Sequence, residues 1–63
     1  MSSNRQKIMT VFENRKDATL KINEIRLLLK GQITDTSLRG RLSDLVQEGF
    51  LERVNFGEYR LNS

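Results

Sequence analysis

The segment ITDTSLRGRLSDLVQEG, near the middle of the chain, carries more consistent helix signals than any other part of the sequence. Thr34 is a good N-cap residue, because its hydroxyl can accept a hydrogen bond from an amide of the first turn. Ile33 before this cap and Leu38 inside the helix have the spacing of a hydrophobic staple, and Gly49 suits the C-terminal cap. Together these signals predict a helix over residues 34–48.

Angular positions on this helix separate a buried face from an outward one, because each residue advances by about 100°. Leu38, Leu42 and Leu45 form the predicted buried stripe. Gly40 lies almost opposite them, so it removes a side chain from the outward face and not from the core. Glycine inside a helix costs roughly 0.5–1 kcal/mol relative to alanine. We therefore expect Gly40 to allow close approach of a partner to the helix.

Further elements are predicted on either side of this helix. Two stretches before it have apolar residues at helical spacing, and a short run between them alternates as a strand does. After it, two apolar-containing runs flank a glycine that can adopt positive φ, which favours a β-hairpin. The sequence thus predicts one α+β domain over residues 1–63, with a helix over 4–16, a strand over 18–22, a helix over 23–30, the helix over 34–48 and a hairpin over 50–62.

Finer expectations concern the ends and the packing of these elements. Asn23 is a candidate N-cap for the second helix, and Gly31 is expected to stop that helix. The leucines at positions 27–29 are expected to lie in the core. Gly57 is expected at the left-handed position of a three-residue hairpin loop, and Tyr59 is expected to pack against the core.

The residue types exclude several kinds of chemistry. The chain has no cysteine and no histidine, so disulfides, thiolate metal sites and imidazole catalysis are excluded. Asp44 and Glu48 are one helical turn apart, but no nucleophile, base or metal-ligand cluster accompanies them, and a solvated charged face explains them. No apolar run reaches the ~18 residues of a membrane span, and the polar start lacks a signal-peptide core. We expect a soluble cytoplasmic protein that is not an enzyme, with no cofactor, catalytic residue, metal, membrane contact or evident small-molecule ligand.

The net charge of +3 and the pI near 9.8 suit a polyanionic partner without identifying one. The basic excess lies in the first half, with seven Lys and Arg against three Asp and Glu in residues 1–31. Residues 32–63 contain four against five. Charge alone therefore does not locate a binding surface.

The sequence TDTSLRGRLSDLVQEGFLERV resembles the third helix and first wing strand of winged helix-turn-helix DNA-binding domains, as in MarR-, ArsR- and DeoR-style regulators. In these families the apolar residues of the helix are followed by a glycine that leads into the wing. That register is occupied here by Leu38, Leu42, Leu45, Gly49, Phe50 and Leu51. The resemblance covers roughly residues 5–62. It departs from the family at Lys21, where many relatives open the second helix with Thr or Ser, so the usual capping box is expected to be absent.

The resemblance implies a helix-turn-helix formed by residues 23–30 and 34–48, with the second helix in the major groove and the hairpin as the wing. It also implies a double-stranded DNA-binding protein, a small transcriptional regulator or repressor that is nucleoid-associated when bound. One recognition helix reads few base pairs, so we expect a homodimer, at least on DNA. Two alternatives stay open: a winged-helix module that binds protein, and a DNA-binding component of replication, recombination or packaging machinery.

The expected DNA contacts lie on the outward helix face, at the start of the second helix and in the hairpin. Arg39 suits bidentate contact with guanine or phosphate. Arg41 lies nearer the core edge, so a pair with Asp44 or packing of its stem is also open. For Phe56 three positions are left open: insertion toward a DNA groove, a contact in a dimer, or packing on the core. The predicted DNA-binding residues are Lys21, Asn23, Thr36, Ser37, Arg39, Gly40, Arg41, Ser43, Arg53, Asn55, Phe56 and Arg60.

Overall fold

The computed structural model describes residues 4–62. Its architecture is α+β, with three helices and a three-stranded antiparallel sheet, and the order of the elements agrees with the predicted order. The elements are α1 (Asn4–Glu13), β1 (Leu20–Lys21), α2 (Ile22–Leu28), α3 (Asp35–Gln47), β2 (Leu51–Asn55) and β3 (Glu58–Leu61).

One apolar core joins the helices to the sheet. Its fully buried side chains come from all three helices and from β2, and the largest are Phe12, Ile8, Ile25, Leu38, Leu42, Leu45 and Leu51. Tyr59 is also buried, which confirms the packing expected for it. Among residues 4–62 no polar or charged side chain is buried. The charged groups of this region therefore lie at the surface, where a partner can reach them.

The start of α3 forms as its sequence signals predict. The Thr34 hydroxyl oxygen accepts a hydrogen bond from the Ser37 N–H at 3.3 Å, so Thr34 is the N-cap. Ile33 and Leu38, the two members of the expected staple, are buried in the same cluster. The helix continues unbroken through Gly40, so this glycine does not interrupt it.

Left-handed residues end both α2 and α3, but they are not the same residue type. Gly49 has a φ of 89° after α3, which confirms it as the C-terminal cap. After α2, Lys30 takes the left-handed position with a φ of 57°, and the Gly31 N–H donates to the Arg26 carbonyl at 3.2 Å. Because this cap begins before the expected stop glycine, α2 ends at position 28 and not at position 30.

The start of α2 corrects two expectations. The N-cap is Lys21 and not Asn23, because the chain passes directly from β1 into the helix. The Glu24 carboxylate accepts a hydrogen bond from the Lys21 N–H at 3.1 Å, which is half of a capping box. An ammonium group has no acceptor, so a lysine cannot provide the other half through its side chain. The expected absence of the capping box is therefore wrong for its Glu24 half.

The leucines of α2 correct a third expectation, since only one of the three lies in the core. Leu29 is buried, whereas Leu27 is 75% exposed and Leu28 is 37% exposed. Consecutive helical residues point about 100° apart, so a short helix with one buried stripe cannot bury three in succession.

Both β1 and α1 are shorter than predicted, β1 because of its pairing in the sheet and α1 because of the turn that follows it. Strand β3 is central, with β1 and β2 antiparallel on its two sides. Only Leu20 and Lys21 pair with β3, and the chain then enters α2. Before β1, the turn after α1 is closed by the Arg15 N–H, which donates to the Phe12 carbonyl at 2.9 Å. The first helix therefore ends at position 13, before the predicted position 16.

The hairpin between β2 and β3 has a two-residue loop, whereas a three-residue loop was expected. Asn55 pairs with Glu58, which leaves Phe56 and Gly57 in the loop. The third residue of the predicted loop, Asn55, instead belongs to β2, and the register shifts just before it, where β2 is bulged at Val54. Gly57 has a φ of 70°, so its predicted left-handed conformation is confirmed.

Candidate nucleic-acid interface

A concavity of about 500 Å³ lies where the start of α2, the flank of α3 and the hairpin meet. We call it the hairpin concavity. Polar and charged side chains from all three elements line it, together with the aromatic ring at the hairpin tip. Its lining residues are Lys21, Ile22, Asn23, Arg39, Arg53, Phe56, Gly57, Glu58 and Tyr59.

Backbone pairing brings the start of α2 against the hairpin. Lys21 lies opposite Glu58 in the sheet, and the Ile22 N–H donates to the Gly57 carbonyl at 3.2 Å. Arg39 lies about 100° from the buried Leu38 on α3, on the flank that lines the same concavity. Residues that are distant in sequence therefore share one surface.

The charge of the hairpin concavity is positive. Lys21, Arg39 and Arg53 line it, and none of them forms an ion pair within residues 4–62. We call these three residues the unpaired cations. Glu58 is the one carboxylate among the described residues of the lining. Like charges held on one face favour an anion that spans them, such as a chain of phosphates.

The outward face of α3 carries small side chains, as its helical angles predict. Thr36, Gly40 and Ser43 are exposed. A Cβ atom placed on Gly40 would have no other atom within 4 Å. No side chain therefore blocks a partner from approaching the helix backbone at Gly40, and nothing in the fold itself requires glycine there.

A smaller concavity of about 250 Å³ lies on the other flank of α3, beside the start of α1. Ser37, Gly40, Arg41 and Asp44 line it together with Asn4. Arg41 is exposed and forms no ion pair with Asp44 in the described part of the chain. The outward face of α3 thus lies between two concavities, with Arg39 beside one and Arg41 beside the other.

Two of the predicted contact residues lie outside both concavities and have partners within the hairpin. The Arg60 Nε lies 2.7 Å from the Glu52 carboxylate on the neighbouring strand. The Asn55 side-chain oxygen accepts a hydrogen bond from the Phe56 N–H at 2.8 Å. Arg60 therefore has a compensated charge, and the Asn55 oxygen holds the loop.

The remaining ion pairs tie the helices together. Arg5 pairs with Glu48, which joins α1 to the end of α3. Arg26 lies 2.8 Å from Asp35 and also donates to the Asn23 side-chain oxygen at 3.3 Å. Arg26 thus orients Asn23 at the edge of the hairpin concavity.

Glu58 and Tyr59 are lining residues that sequence reasoning missed as parts of a site. Their position depends on the pairing of β1 with β3, which joins residues far apart in the chain. No local signal in the sequence specifies that pairing.

No group of three or more His, Cys, Asp or Glu side chains in the described range could hold a metal ion. No helix within residues 4–62 has the length and apolar character needed to cross a membrane. Comparisons of the chain with protein-family models, curated proteins and solved structures give no match. The hairpin concavity and the neighbouring face of α3 are therefore the basis for assigning a function.

Proposed function

We propose that this chain is a winged helix-turn-helix domain that binds double-stranded DNA. In this proposal α3 enters the major groove and the β2–β3 hairpin is the wing. The observation that carries the proposal is the convergence of the unpaired cations from three elements on one concave surface beside a helix face of small residues. In double-stranded DNA the phosphate backbone would contact the cations, and the edge of the groove would contact the helix face of small residues.

The dimensions of α3 and of its outward face support this placement. An α-helix with its side chains is about 10–12 Å across, close to the ~12 Å width of the major groove. Thr36, Gly40 and Ser43 add little bulk to the outward face, so the backbone can come close to the base edges. The hydroxyl groups of Thr36 and Ser43 provide donors and acceptors there.

The unpaired cations have different roles in this proposal. Arg39 lies on α3 itself, where its planar guanidinium can contact guanine through two hydrogen bonds. Lys21 and Arg53 lie beside it at the start of α2 and in the wing, where they would neutralise backbone phosphates. Base contacts then specify the sequence, and the phosphate contacts position the domain.

Regulation of transcription is the biological role that we propose for this binding. One recognition helix contacts only a few base pairs, so a useful operator needs two copies of the domain on two half-sites. We propose a dimer on DNA, acting in the cytoplasm on the nucleoid.

Binding to a protein is the second candidate function, and the exposed leucines of α2 favour it. Leu27 is 75% exposed and Leu28 is 37% exposed, at adjacent positions on one helix. An apolar helix surface of this kind suits a groove in a partner protein. This function needs no affinity for nucleic acid, so a test of DNA binding separates it from the first.

A salt titration on a duplex of random sequence tests the proposal. We expect measurable binding at low salt, with log K falling linearly against log salt at a slope of about −1.8 per domain for the two phosphates neutralised by Lys21 and Arg53. Fluorescence anisotropy of a labelled duplex measures this slope. Undetectable binding at low salt, or binding that does not respond to salt, would overturn the proposal.

Two triple variants control for net charge. The first changes Lys21, Arg39 and Arg53 to Gln, and the second changes Arg5, Arg26 and Arg60 to Gln. Each removes three positive charges, so a non-specific effect of charge would weaken binding equally in both. We expect the first variant to lose most of its affinity and the second to keep most of it, with thermal unfolding confirming that both are folded.

A further inference from the structure

Phe56 at the hairpin tip is 83% exposed, more than any other large apolar side chain in the described part of the chain. The loop that carries it is held from two sides. The Asn55 side chain accepts from the Phe56 N–H at 2.8 Å, and the Gly57 carbonyl accepts from the Ile22 N–H at 3.2 Å. The ring is therefore presented to solvent by an anchored backbone and does not pack in the core.

One face of the Phe56 ring is already covered. The Arg53 guanidinium lies 5.5 Å from the ring centroid, within the range of a cation–π contact. An apolar wedge between two stacked base pairs contacts the DNA through both faces of its ring. A ring with one covered face suits a single base that stacks on the other face.

The hairpin concavity beside Phe56 provides the other contacts that such a base would need. Its volume of about 500 Å³ falls within the ~300–1,000 Å³ typical of small-ligand sites. The Asn23 oxygen accepts from Arg26 at 3.3 Å, which leaves the Asn23 amide hydrogens to donate to a base edge. Lys21 lines the same concavity and could hold a phosphate next to the base.

We infer that the hairpin concavity receives an unpaired base of a DNA strand, stacked on the open face of Phe56. This inference rests on the proposed function, because the duplex on α3 would deliver the strand to the concavity. The partner is then DNA in which a duplex adjoins a single strand. Every base has a π face, so the stacking contact itself has little sequence preference.

Three DNA probes test the inference by fluorescence anisotropy at one salt concentration: a blunt duplex, the same duplex with a single-stranded overhang, and the overhang strand alone. We expect the overhang to raise the affinity of the unaltered chain about tenfold over the blunt duplex, as stacking on an aromatic side chain does. Phe56→Leu keeps an apolar side chain but removes the ring, so it should reduce the ratio of overhang affinity to blunt-duplex affinity to about one. Phe56→Trp should retain the gain.

Phe50→Leu is the matched control. Phe50 is also an exposed phenylalanine, at 47%, and the Arg5 guanidinium lies 5.2 Å from its ring centroid. It does not line the hairpin concavity. The overhang preference should therefore be unchanged in this variant.

The outcomes separate the two proposals. Blunt-duplex binding with no gain from the overhang would overturn the inference and leave the proposed function intact. An equal loss on blunt and overhang DNA in Phe56→Leu would also overturn it, because the side chain would then contact paired DNA. Tight binding of the single strand with none of the blunt duplex would overturn the proposed duplex function and, with it, DNA in which a duplex adjoins a single strand as the partner. Failure of all three probes to bind would overturn both.

Discussion

Two sets of basic side chains in this protein differ in what surrounds them. One set is neutralised within the chain, and it consists of Arg5 with Glu48, Arg26 with Asp35, and Arg60 with Glu52. The unpaired cations Lys21, Arg39 and Arg53 instead gather on the hairpin concavity. A guanidinium that pairs with a carboxylate has its charge compensated within the chain, whereas Lys21, Arg39 and Arg53 keep a charge that a phosphate can neutralise. Lack of an ion pair within residues 4–62, taken together with a position on the hairpin concavity, therefore distinguishes Lys21, Arg39 and Arg53 better than the net charge of +3 does.

The comparison changes the ranking of the residues expected at the interface. Arg39 and Arg60 are both exposed arginines and both belong to the predicted set. The structure places Arg39 on the hairpin concavity and pairs Arg60 with its cross-strand neighbour. We therefore expect Arg39 to contribute to DNA binding and Arg60 to support the hairpin.

Substitution of Arg39 tests this ranking with the largest expected effect. Arg39→Ala should weaken duplex binding by about 1–3 kcal/mol, the cost of losing a bidentate base contact. Its free energy of unfolding should change by less than about 0.5 kcal/mol, since the side chain is exposed. Titration of labelled duplex and urea unfolding measure the two quantities. Arg60→Ala is the control, and a loss of affinity in it equal to that of Arg39→Ala would contradict the ranking.

Gly40→Ala separates stability from binding at the centre of α3. Alanine should raise the free energy of unfolding by about 0.5–1 kcal/mol through helix propensity. No atom outside the adjoining residues and the local helix backbone lies within 4 Å of the new methyl group. If the glycine allows close approach to DNA, the more stable protein should bind duplex more weakly.

Gly49→Ala provides the contrast for Gly40→Ala. The added methyl group is the same, but Gly49 has a φ of 89°, so this variant should be less stable than the parent. Unaltered DNA affinity in Gly40→Ala, measured beside this control, would show that Gly40 has no role in binding.

The sequence predicts α3 better than any other element, and the reason is local. Its cap, staple residues and terminal glycine all lie within the segment and specify the same helix. The chain between α2 and α3 is less predictable, because Lys30 takes a left-handed conformation for which no residue type there gives a signal. Burial of the leucines at positions 27–29 also depends on tertiary packing. The run of three apolar residues predicts burial of all three, but Leu27 is exposed.

The candidate site is less predictable than the helix that contributes to it. The outward position of Gly40 follows from helix geometry alone. The meeting of Lys21, Arg39 and Arg53 depends instead on the β1–β3 pairing and on the packing of α3 beside the hairpin. The pairing of Arg60 with Glu52 depends on strand register, which a bulge at Val54 shifts. Residue types therefore indicate which side chains are candidates for the interface. Strand pairing between distant parts of the chain decides which of these candidates lie together on one surface.

Lys21→Ala should have a smaller effect than Arg39→Ala, and the effect should be independent of DNA sequence. Removal of one phosphate contact should reduce the magnitude of the salt slope by about 1. Parallel salt titrations on two unrelated duplexes measure this change. Lys16→Ala, an exposed lysine in the turn after α1, is the control and should leave the slope unchanged. A sequence-dependent loss in Lys21→Ala would instead place this lysine at a base edge.

Glu52→Gln converts a paired arginine into an unpaired one and should have the smallest effect. Release of Arg60 should raise duplex affinity by less than about 1 kcal/mol, the usual range of an exposed ion pair. Glu13→Gln changes the net charge equally at an exposed position on α1 that forms no ion pair within residues 4–62. An equal gain in both variants, measured in the same anisotropy assay, would attribute the effect to net charge and not to pairing.

Mapping of backbone amide shifts by NMR during titration with duplex DNA tests the central claim most directly. A chain of this size gives resolved spectra, and every region of its surface is observed together. We predict the largest shifts around Lys21, Arg39 and Arg53 and along the outward face of α3, with small shifts around Arg5. Shifts concentrated around the paired arginines, or on the exposed α2 surface at Leu27, would contradict the assignment of the hairpin concavity as the DNA-binding surface.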